Sequence, residues 1–309
     1  MEKFTIEDFK GVIPAMLTPF TKDEEIDEAG IRDLTEYLLS FNIGGLYLTG
    51  STGETFLMNE EERKKVLEIV MDQVAGRVPV VAHIGTLSTK AAIELAKHAE
   101  SLGVAGISFV PPFYWRHSEE AIINYYKDIV ESVDLPMIVY NIPLAGLMSV
   151  DTIKKLAELK NVCGVKFTST TLFEITQIKD ATPEGFMIFG GADELASSNL
   201  AIGVDGIIGS FYNLIPDLFI QIRENVKNGN QAKAEELQRY AVRIIMDVLK
   251  HGSMVGAMKS ILRKAGIEAG YSRRPFLNFE DERQKEVVNS LLSIENIKDL
   301  DLELIKRLK

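Results

Sequence analysis

The chain has 309 residues, 46% of them hydrophobic, enough for one large core or for two smaller domains. Forty-five acidic against 34 basic residues give a net charge of −11 and a pI of about 5.0, with no basic stripe, which argues against a nucleic-acid binder or a ligand of anionic membranes. No apolar run reaches the length of a membrane span, since Leu135–Val150 is broken by Pro136, Asn141 and Pro143. The start, Met1-Glu2-Lys3-Phe4, lacks a signal-peptide core, and the single Cys163 permits no internal disulfide, so a reducing cytoplasm is expected.

Taken in order, short apolar runs alternate with amphipathic helical stretches. The runs are Val12–Leu17, Gly45–Leu48, Val80–Ala82, Ile107–Val110, Met137–Tyr140, Val162–Phe167, Met187–Phe189 and Ile207–Ile208. Between them, Asn59 with Glu62 forms a capping box ahead of Leu67, Val70 and Val74. Ser88 precedes a helix with Ala92, Leu95, Ala96 and Ala99 on one face and Gly103 past its end. Ser118 precedes the helix through Ile122 and Ile129, and Asp151 opens the one through Leu156 and Leu159. Eight βα units in series predict an α/β fold, a TIM (β/α)8 barrel.

An internal repeat supports closure over a doubly wound open sheet. Asn42-Ile-Gly-Gly-Leu46, Gly103-Val-Ala-Gly-Ile107, Asn161-Val-Cys-Gly-Val165 and Gly203-Val-Asp-Gly-Ile207 share one pattern and lead into strands 2, 4, 6 and 8. After strand 8, Pro216 starts a helix through Leu218, Ile222 and Val226. Asn228-Gly229-Asn230 is a turn, and a long helix follows with Ala234, Leu237, Ala241, Ile244 and Val248 on one face. Residues 1–228 are therefore read as the catalytic barrel and 229–309 as a C-terminal helical extension.

Active sites of such barrels lie where the strands end. There the sequence offers Thr18, Gly50-Ser51-Thr52-Gly53-Glu54, His83, Tyr140-Asn141, Lys166 and Thr168, Gly190-Gly191-Ala192-Asp193-Glu194, and Gly209-Ser210. Lys166 interrupts an otherwise apolar strand. A charged lysine is expensive to bury, and a neutral amine in an apolar pocket is the nucleophile that forms Schiff bases with ketones; the alternative is a strand-end lysine that reaches water. Gly50–Glu54 is a tight loop rich in hydroxyls, suited to a carboxylate or a simple phosphate, and lacks the Gly-Lys-Ser/Thr ending of a nucleotide loop. Tyr140 could exchange a proton with a reacting oxygen or be a core tyrosine. Asp193-Glu194 could bind sugar hydroxyls or cap a helix. Cys163 reads as a small core residue. His83, His98, His117 and His251 show no metal spacing, so no metal is expected.

Gly50-Ser-Thr-Gly-Glu54, Tyr140-Asn-Ile-Pro143 and Gly164-Val-Lys166, in that order, resemble the pyruvate-dependent class I aldolases typified by dihydrodipicolinate synthase and N-acetylneuraminate lyase. His83-Ile-Gly85, Lys166-Phe-Thr-Ser169, Gly191-Ala-Asp-Glu194 and Gly209-Ser-Phe-Tyr212 are similar to the lyase branch. The synthase branch usually carries an arginine two residues after the proline of Tyr-Asn-x-Pro; here Pro143 is followed by Leu144 and Ala145.

The resemblance implies reversible cleavage of N-acetylneuraminate to pyruvate and N-acetylmannosamine. The alternatives it leaves are the synthase reaction, another 2-keto-3-deoxy sugar acid aldolase, or a non-catalytic sugar-acid binder. It implies that Lys166 forms the Schiff base, that Ser51 and Thr52 bind the α-carboxylate, and that Tyr140 relays the hydroxyl proton. It implies that Thr168, Gly191, Asp193, Glu194 and Ser210 contact the polyol chain, and that Tyr114 reaches a neighbouring subunit's site in a homotetramer. The expected partners are a small keto acid and a sugar. No cofactor is expected beyond the covalent lysine adduct.

Overall fold

A strand that is apolar at every position must bury both faces, and the eight short runs do so by closing into a ring. The structure, a computed structural model, describes residues 4–309; the opening Met1–Lys3 read above lies outside the described residues. The strands are β1 (Gly11–Pro14), β2 (Leu46–Leu48), β3 (Val80–His83), β4 (Gly106–Phe109), β5 (Met137–Asn141), β6 (Val162–Phe167), β7 (Met187–Gly190) and β8 (Gly206–Gly209). All pair in parallel, in the order β1-β8-β7-β6-β5-β4-β3-β2. A parallel bridge from Ala15 to Tyr47 joins β1 to β2, with the Met16 N–H donating to the Tyr47 carbonyl at 2.9 Å. The expected TIM barrel is therefore present.

Eight helices follow the strands in turn: α1 (Glu28–Leu39), α2 (Glu60–Val74), α3 (Thr89–Ser101), α4 (Glu119–Glu131), α5 (Val150–Ala157), α6 (Phe173–Ala181), α7 (Ala196–Ile202) and α8 (Pro216–Lys227). The Asn59–Glu62 capping box forms, at 2.8 and 2.9 Å, and Ser118 caps α4 at 3.2 Å. One helix start differs from the sequence reading. Ser149, not Asp151, caps α5, because its hydroxyl accepts the Thr152 N–H at 3.1 Å; Asp151 falls in the first turn, where an acid is favoured anyway.

Strand alternation sorts the side chains into two layers. Ile13, Tyr47, Val81, Ile138, Tyr140, Phe189 and Ile208 point inward and pack together. Val12, Leu46, Ile107, Val139, Val165, Phe167 and Ile207 point outward into the layer shared with the helices. Lys166, between Val165 and Phe167, is thereby aimed into the barrel. The β5–β6 pairing passes from Val162 directly to Gly164, so Cys163 is the extra residue of a bulge.

The sequence repeat records crowding at the barrel floor. Phe9 is fully buried there, its ring 5.6 Å from that of Phe189. The last glycine of each repeat faces this packing from an alternate strand. A Cβ would lie 2.6 Å from the Phe9 ring at Gly45, 3.0 Å from the Pro136 carbonyl at Gly106, 2.6 Å from the Met187 carbonyl at Gly164 and 3.0 Å from the Gly11 backbone at Gly206.

Four helices follow: α9 (Gln231–Leu249), α10 (Met254–Lys264), α11 (Asp281–Leu292) and α12 (Glu303–Leu308). The predicted apolar face of α9 is buried. Between α10 and α11 the chain returns to the top of the barrel, where Tyr271 bridges Phe20 in antiparallel fashion. Among the described residues no helix is long and apolar enough to cross a membrane.

Replacing Gly164 with Ala should cost about 1–3 kcal/mol of stability, because a methyl there overpacks the Met187 backbone. The loss would be read as a lower urea midpoint at constant slope. An unchanged midpoint would show that β7 yields to the extra methyl.

Candidate active site

Register alone sets the centre of the site. Pairing aligns Lys166 with Tyr140 on β5 and with Phe189 on β7. Lys166 is only 4% exposed, and its Nζ sits 4.1 Å from the centroid of the Tyr140 ring and 4.6 Å from that of Tyr47. The two rings meet edge to face at 6.0 Å. Tyr47 donates its hydroxyl to Ser108 Oγ at 3.0 Å, and burial pushes its phenol well above the usual range, so it stays neutral as a wall. Tyr47 was not singled out from the sequence, although its inward register in β2 follows from the period-two pattern.

His83 closes the neighbouring side. Its ring lies 6.0 Å from Tyr140 and 6.3 Å from Tyr47, fully buried, with neither ring nitrogen hydrogen-bonded. Burial, then the nearby charges of Arg63 and Lys166, holds the imidazole well below its ordinary pKa, hence neutral. Asn141 braces rather than reaches: its amide donates to the Met148 carbonyl at 3.2 Å and accepts the Met148 N–H at 2.8 Å. Cys163 donates to the Met137 carbonyl at 3.4 Å, and burial pushes its thiol up to about 12, as fits a structural residue.

The hydroxyl-bearing loop lies over β2. Thr52 Oγ1 is 2.6 Å from Ser210 Oγ, joining the ends of β2 and β8, while Thr18 Oγ1 donates to the Gly53 carbonyl at 2.8 Å. Ser51 is half-buried at its tip. Glu54 ends the loop in a left-handed conformation, φ 58°, with its carboxylate buried. Its partner was not foreseen: Lys259 of α10, fully buried, with Nζ 2.5 Å from Glu54 Oε1, 2.6 Å from the Thr18 carbonyl and 2.7 Å from the Tyr271 carbonyl. The backbone N–H of Arg273 donates to the other Glu54 oxygen at 2.9 Å. Burial pushes Lys259 down to about 8 and Glu54 up, while their mutual attraction opposes both shifts. One sequence signal existed: Lys259 sits on the apolar face of its helix, with Val255, Met258 and Leu262.

The β6, β7 and β8 ends gather the remaining candidates. A Cβ at Gly191 would fall 1.9 Å from Thr168 Oγ1, and one at Gly209 would fall 1.8 Å from Asp193 Oδ1, so both glycines make room for polar atoms. Asp193 Oδ2 accepts the Phe211 N–H at 2.9 Å. Asp193 Oδ1 and Thr168 Oγ1 are buried without a partner. Burial pushes the Asp193 carboxyl up to about 7. Gln238 of α9 supports this turn, donating to the Asp193 carbonyl at 3.1 Å and accepting the Ser197 N–H at 2.8 Å. Glu194 and Ser210 are half-buried beside it. Tyr114 is different: it is 72% exposed in the loop after β4, edge-on to Trp115.

The opposite side of the mouth is apolar. A cavity of about 360 Å³ is lined by Phe56, Val110, Phe113, Ile142 and Ala145, with Ser51 at its edge. No group of three or more His, Cys, Asp or Glu side chains able to hold a metal occurs among the described residues.

Comparison with known proteins adds the family. The family model of the dihydrodipicolinate synthetase family matches residues 8–294. An Escherichia coli protein named N-acetylneuraminate lyase 2 is 42% identical over 273 residues, 87% of this chain and 89% of its own. A Clostridium perfringens N-acetylneuraminate lyase is 37% identical over 276 residues, 88% and 95% of the two chains. The solved Ruminococcus gnavus sialic acid aldolase superposes with a TM-score of 0.88 at 34% identity, covering 92% of this chain and 96% of its own. A Bacillus anthracis dihydrodipicolinate synthase gives 0.87 at 29% identity, with 93% and 98% covered.

The raised Asp193 carboxyl should be visible as a pH dependence. It titrates near 7 in the folded chain against 3.8 for an ordinary aspartate. Below pH 3.8 both folded and unfolded states hold the proton. Between 3.8 and 7 the unfolded chain releases it first, so stability falls as pH rises, and above 7 the loss is complete. Asp193→Asn escapes this loss. Its stability relative to the unmodified protein should grow between pH 5 and pH 8 by on the order of 2 kcal/mol. A constant difference in chemical denaturation would mean that Asp193 is already ionised at pH 5.

Proposed function

The chain belongs to the dihydrodipicolinate synthetase family, and from that premise we propose that it is an N-acetylneuraminate lyase, cleaving sialic acid reversibly to pyruvate and N-acetylmannosamine through a Schiff base on Lys166. The observation that carries the reading is the placement of one buried amine against two tyrosine rings, between a hydroxyl-bearing loop and a polar arc.

Each step is assigned to a named group. The Lys166 amine adds to the ketone carbon of the open-chain sugar acid and water leaves, giving a protonated imine. Ser51 and Thr52 hold the α-carboxylate, which fixes the ketone's orientation. Tyr140 relays the proton of the hydroxyl two carbons from the imine, its oxygen receiving that proton as its own phenolic proton passes on, to be returned when the enamine is protonated. The carbon–carbon bond between hydroxyl and imine breaks, its electron pair passes into the imine as an enamine, and the hydroxyl carbon leaves as the aldehyde of N-acetylmannosamine. Protonation of the enamine and addition of water release pyruvate and restore the amine. Thr168, Gly191, Asp193, Glu194 and Ser210 bind the polyol chain; the unpartnered Asp193 Oδ1 and Thr168 Oγ1 suit hydroxyl donors.

The synthase alternative is disfavoured by Ala145. It stands where that branch usually carries an arginine, and it lines the apolar cavity with Ile142 and Phe113. We assign Tyr114, exposed beside Trp115, to a contact with a second subunit of a homotetramer. The reaction needs no cofactor beyond the lysine adduct. The half-buried Cys163 suits a cytoplasmic setting.

The test is pyruvate release from N-acetylneuraminate, followed with a coupled NADH-dependent dehydrogenase. The unmodified chain should release pyruvate, Lys166→Ala should release none, and Tyr140→Phe should lose about 10²–10⁴-fold in kcat. Turnover surviving in Lys166→Ala would overturn the Schiff-base mechanism. Consumption of pyruvate with aspartate semialdehyde, and none of the cleavage, would move the assignment to the synthase reaction.

A further inference from the structure

Lys259 lies outside the eight βα units, yet its amine ends at the barrel mouth. We propose that Lys259 is a positioning residue, reaching from α10 to set the Gly50–Glu54 loop in the shape that receives the keto acid's carboxylate. This rests on the reading of Ser51 and Thr52 given above.

An ammonium has three donors, and here three separate segments take them. The acceptors are the Thr18 carbonyl after β1 at 2.6 Å, the Glu54 carboxylate after β2 at 2.5 Å and the Tyr271 carbonyl of the C-terminal return at 2.7 Å. Thr18 is held from both sides, since its own hydroxyl donates to the Gly53 carbonyl at 2.8 Å. Glu54 is held in a left-handed backbone conformation that non-glycine residues seldom adopt. Its second oxygen takes the Arg273 N–H at 2.9 Å, and the Arg273 side chain donates to the Leu57 carbonyl at 2.8 Å and to the Glu62 carboxylate. The C-terminal end of the loop is thus fastened to α10 and the segment that follows it, Glu54 directly and Gly53 by way of Thr18.

A buried ion pair is in general weak evidence for stability. The docking of α10 also rests on apolar packing, since Val255, Met258, Ile261 and Leu262 are buried around the pair. What the pair does specifically is fix Ser51 and Thr52, three and two residues from Glu54. Displacing binding groups by about 1 Å weakens capture of the reactant severely.

The experiment uses the full chain and borohydride trapping of pyruvate on Lys166 over a range of pyruvate concentrations. Parallel measurements are KM and kcat for cleavage and the unfolding temperature. Glu54→Gln and the uncharged double variant Lys259→Met/Glu54→Gln should raise half-saturating pyruvate and KM by about tenfold or more, with kcat at saturation within about threefold of the unmodified enzyme. Lys259→Arg keeps the charge but not the three short bonds, and it should show the same rise if the uncharged pair does not fold. A lower unfolding temperature with unchanged half-saturation and KM would overturn the proposal, leaving the pair merely structural. If the unmodified chain gains no covalent pyruvate, the Schiff-base reading fails first and this proposal falls with it; normal trapping by the parent and by every variant defeats this proposal alone.

Discussion

Burying an amine at the centre of an apolar barrel is the constraint on which this structure turns. Taking an ammonium out of water costs several kcal/mol unless it is paired and hydrogen-bonded. Among the described residues two lysines are buried, and they are treated oppositely. Lys259 is given three acceptors, one of them a carboxylate, and is thereby spent on architecture. Lys166 is instead set against the faces of Tyr140 and Tyr47. On the proposal that Lys166 is the nucleophile, this arrangement spares it a carboxylate partner that would have to be displaced before attack.

Closure of the barrel is what makes this environment available. Tyr47 stands on β2 and Lys166 on β6, so they meet only across the interior of the ring. The ring is completed between β1 and β2 by the bridge from Ala15 to Tyr47 and by the Gly44 N–H, which donates to the Val12 carbonyl at 2.9 Å. The floor must be tight for the mouth to be well defined, which explains why glycines recur on alternate strands around Phe9 and the neighbouring backbone. Packing below and chemistry above are thus parts of one register, and a slip of one residue in β6 would turn Lys166 out toward the helices.

Much of this was legible in the chain. Apolar runs separated by capped helical stretches gave eight βα units, and the one lysine interrupting an apolar strand is the one buried against Tyr140 and Tyr47 in the candidate site. The polar residues at the ends of β2, β6, β7 and β8 followed from the rule that such barrels work at that face. Local signals also misplaced one helix start, since Ser149 and Asp151 are both good first-turn residues and only the hydrogen bond separates them. What could not be read were the long-range pairings. Glu54 and Lys259 are 205 positions apart, and Tyr47 and Ser108 are 61 apart. No periodicity links such pairs, because each partner satisfies its own element's pattern, and only the fold brings them together. The environment of Asp193 was hidden for the same reason: the sequence shows an acid at a helix start, whereas burial against β8 and the turn after it makes that acid hard to ionise.

The mouth divides into two unlike halves, and that division bears on substrate more directly than the lysine does. Folds of this type host many reactions, so the choice of substrate has to be argued from the side chains around the nucleophile. From β6 round to β8 the wall is polar, with Thr168 Oγ1 and Asp193 Oδ1 buried and unpartnered. From β4 to β5 it is apolar, with Val110, Phe113, Ile142 and Ala145. A reactant carrying a second carboxylate would need a cation, and the apolar half, where Ala145 takes the place of the synthase branch's arginine, provides none among these lining residues. A reactant carrying a chain of hydroxyls would instead satisfy the orphaned oxygens of the polar half. Unmade hydrogen bonds in a buried wall are costly, so the wall itself favours the polyol over a second carboxylate.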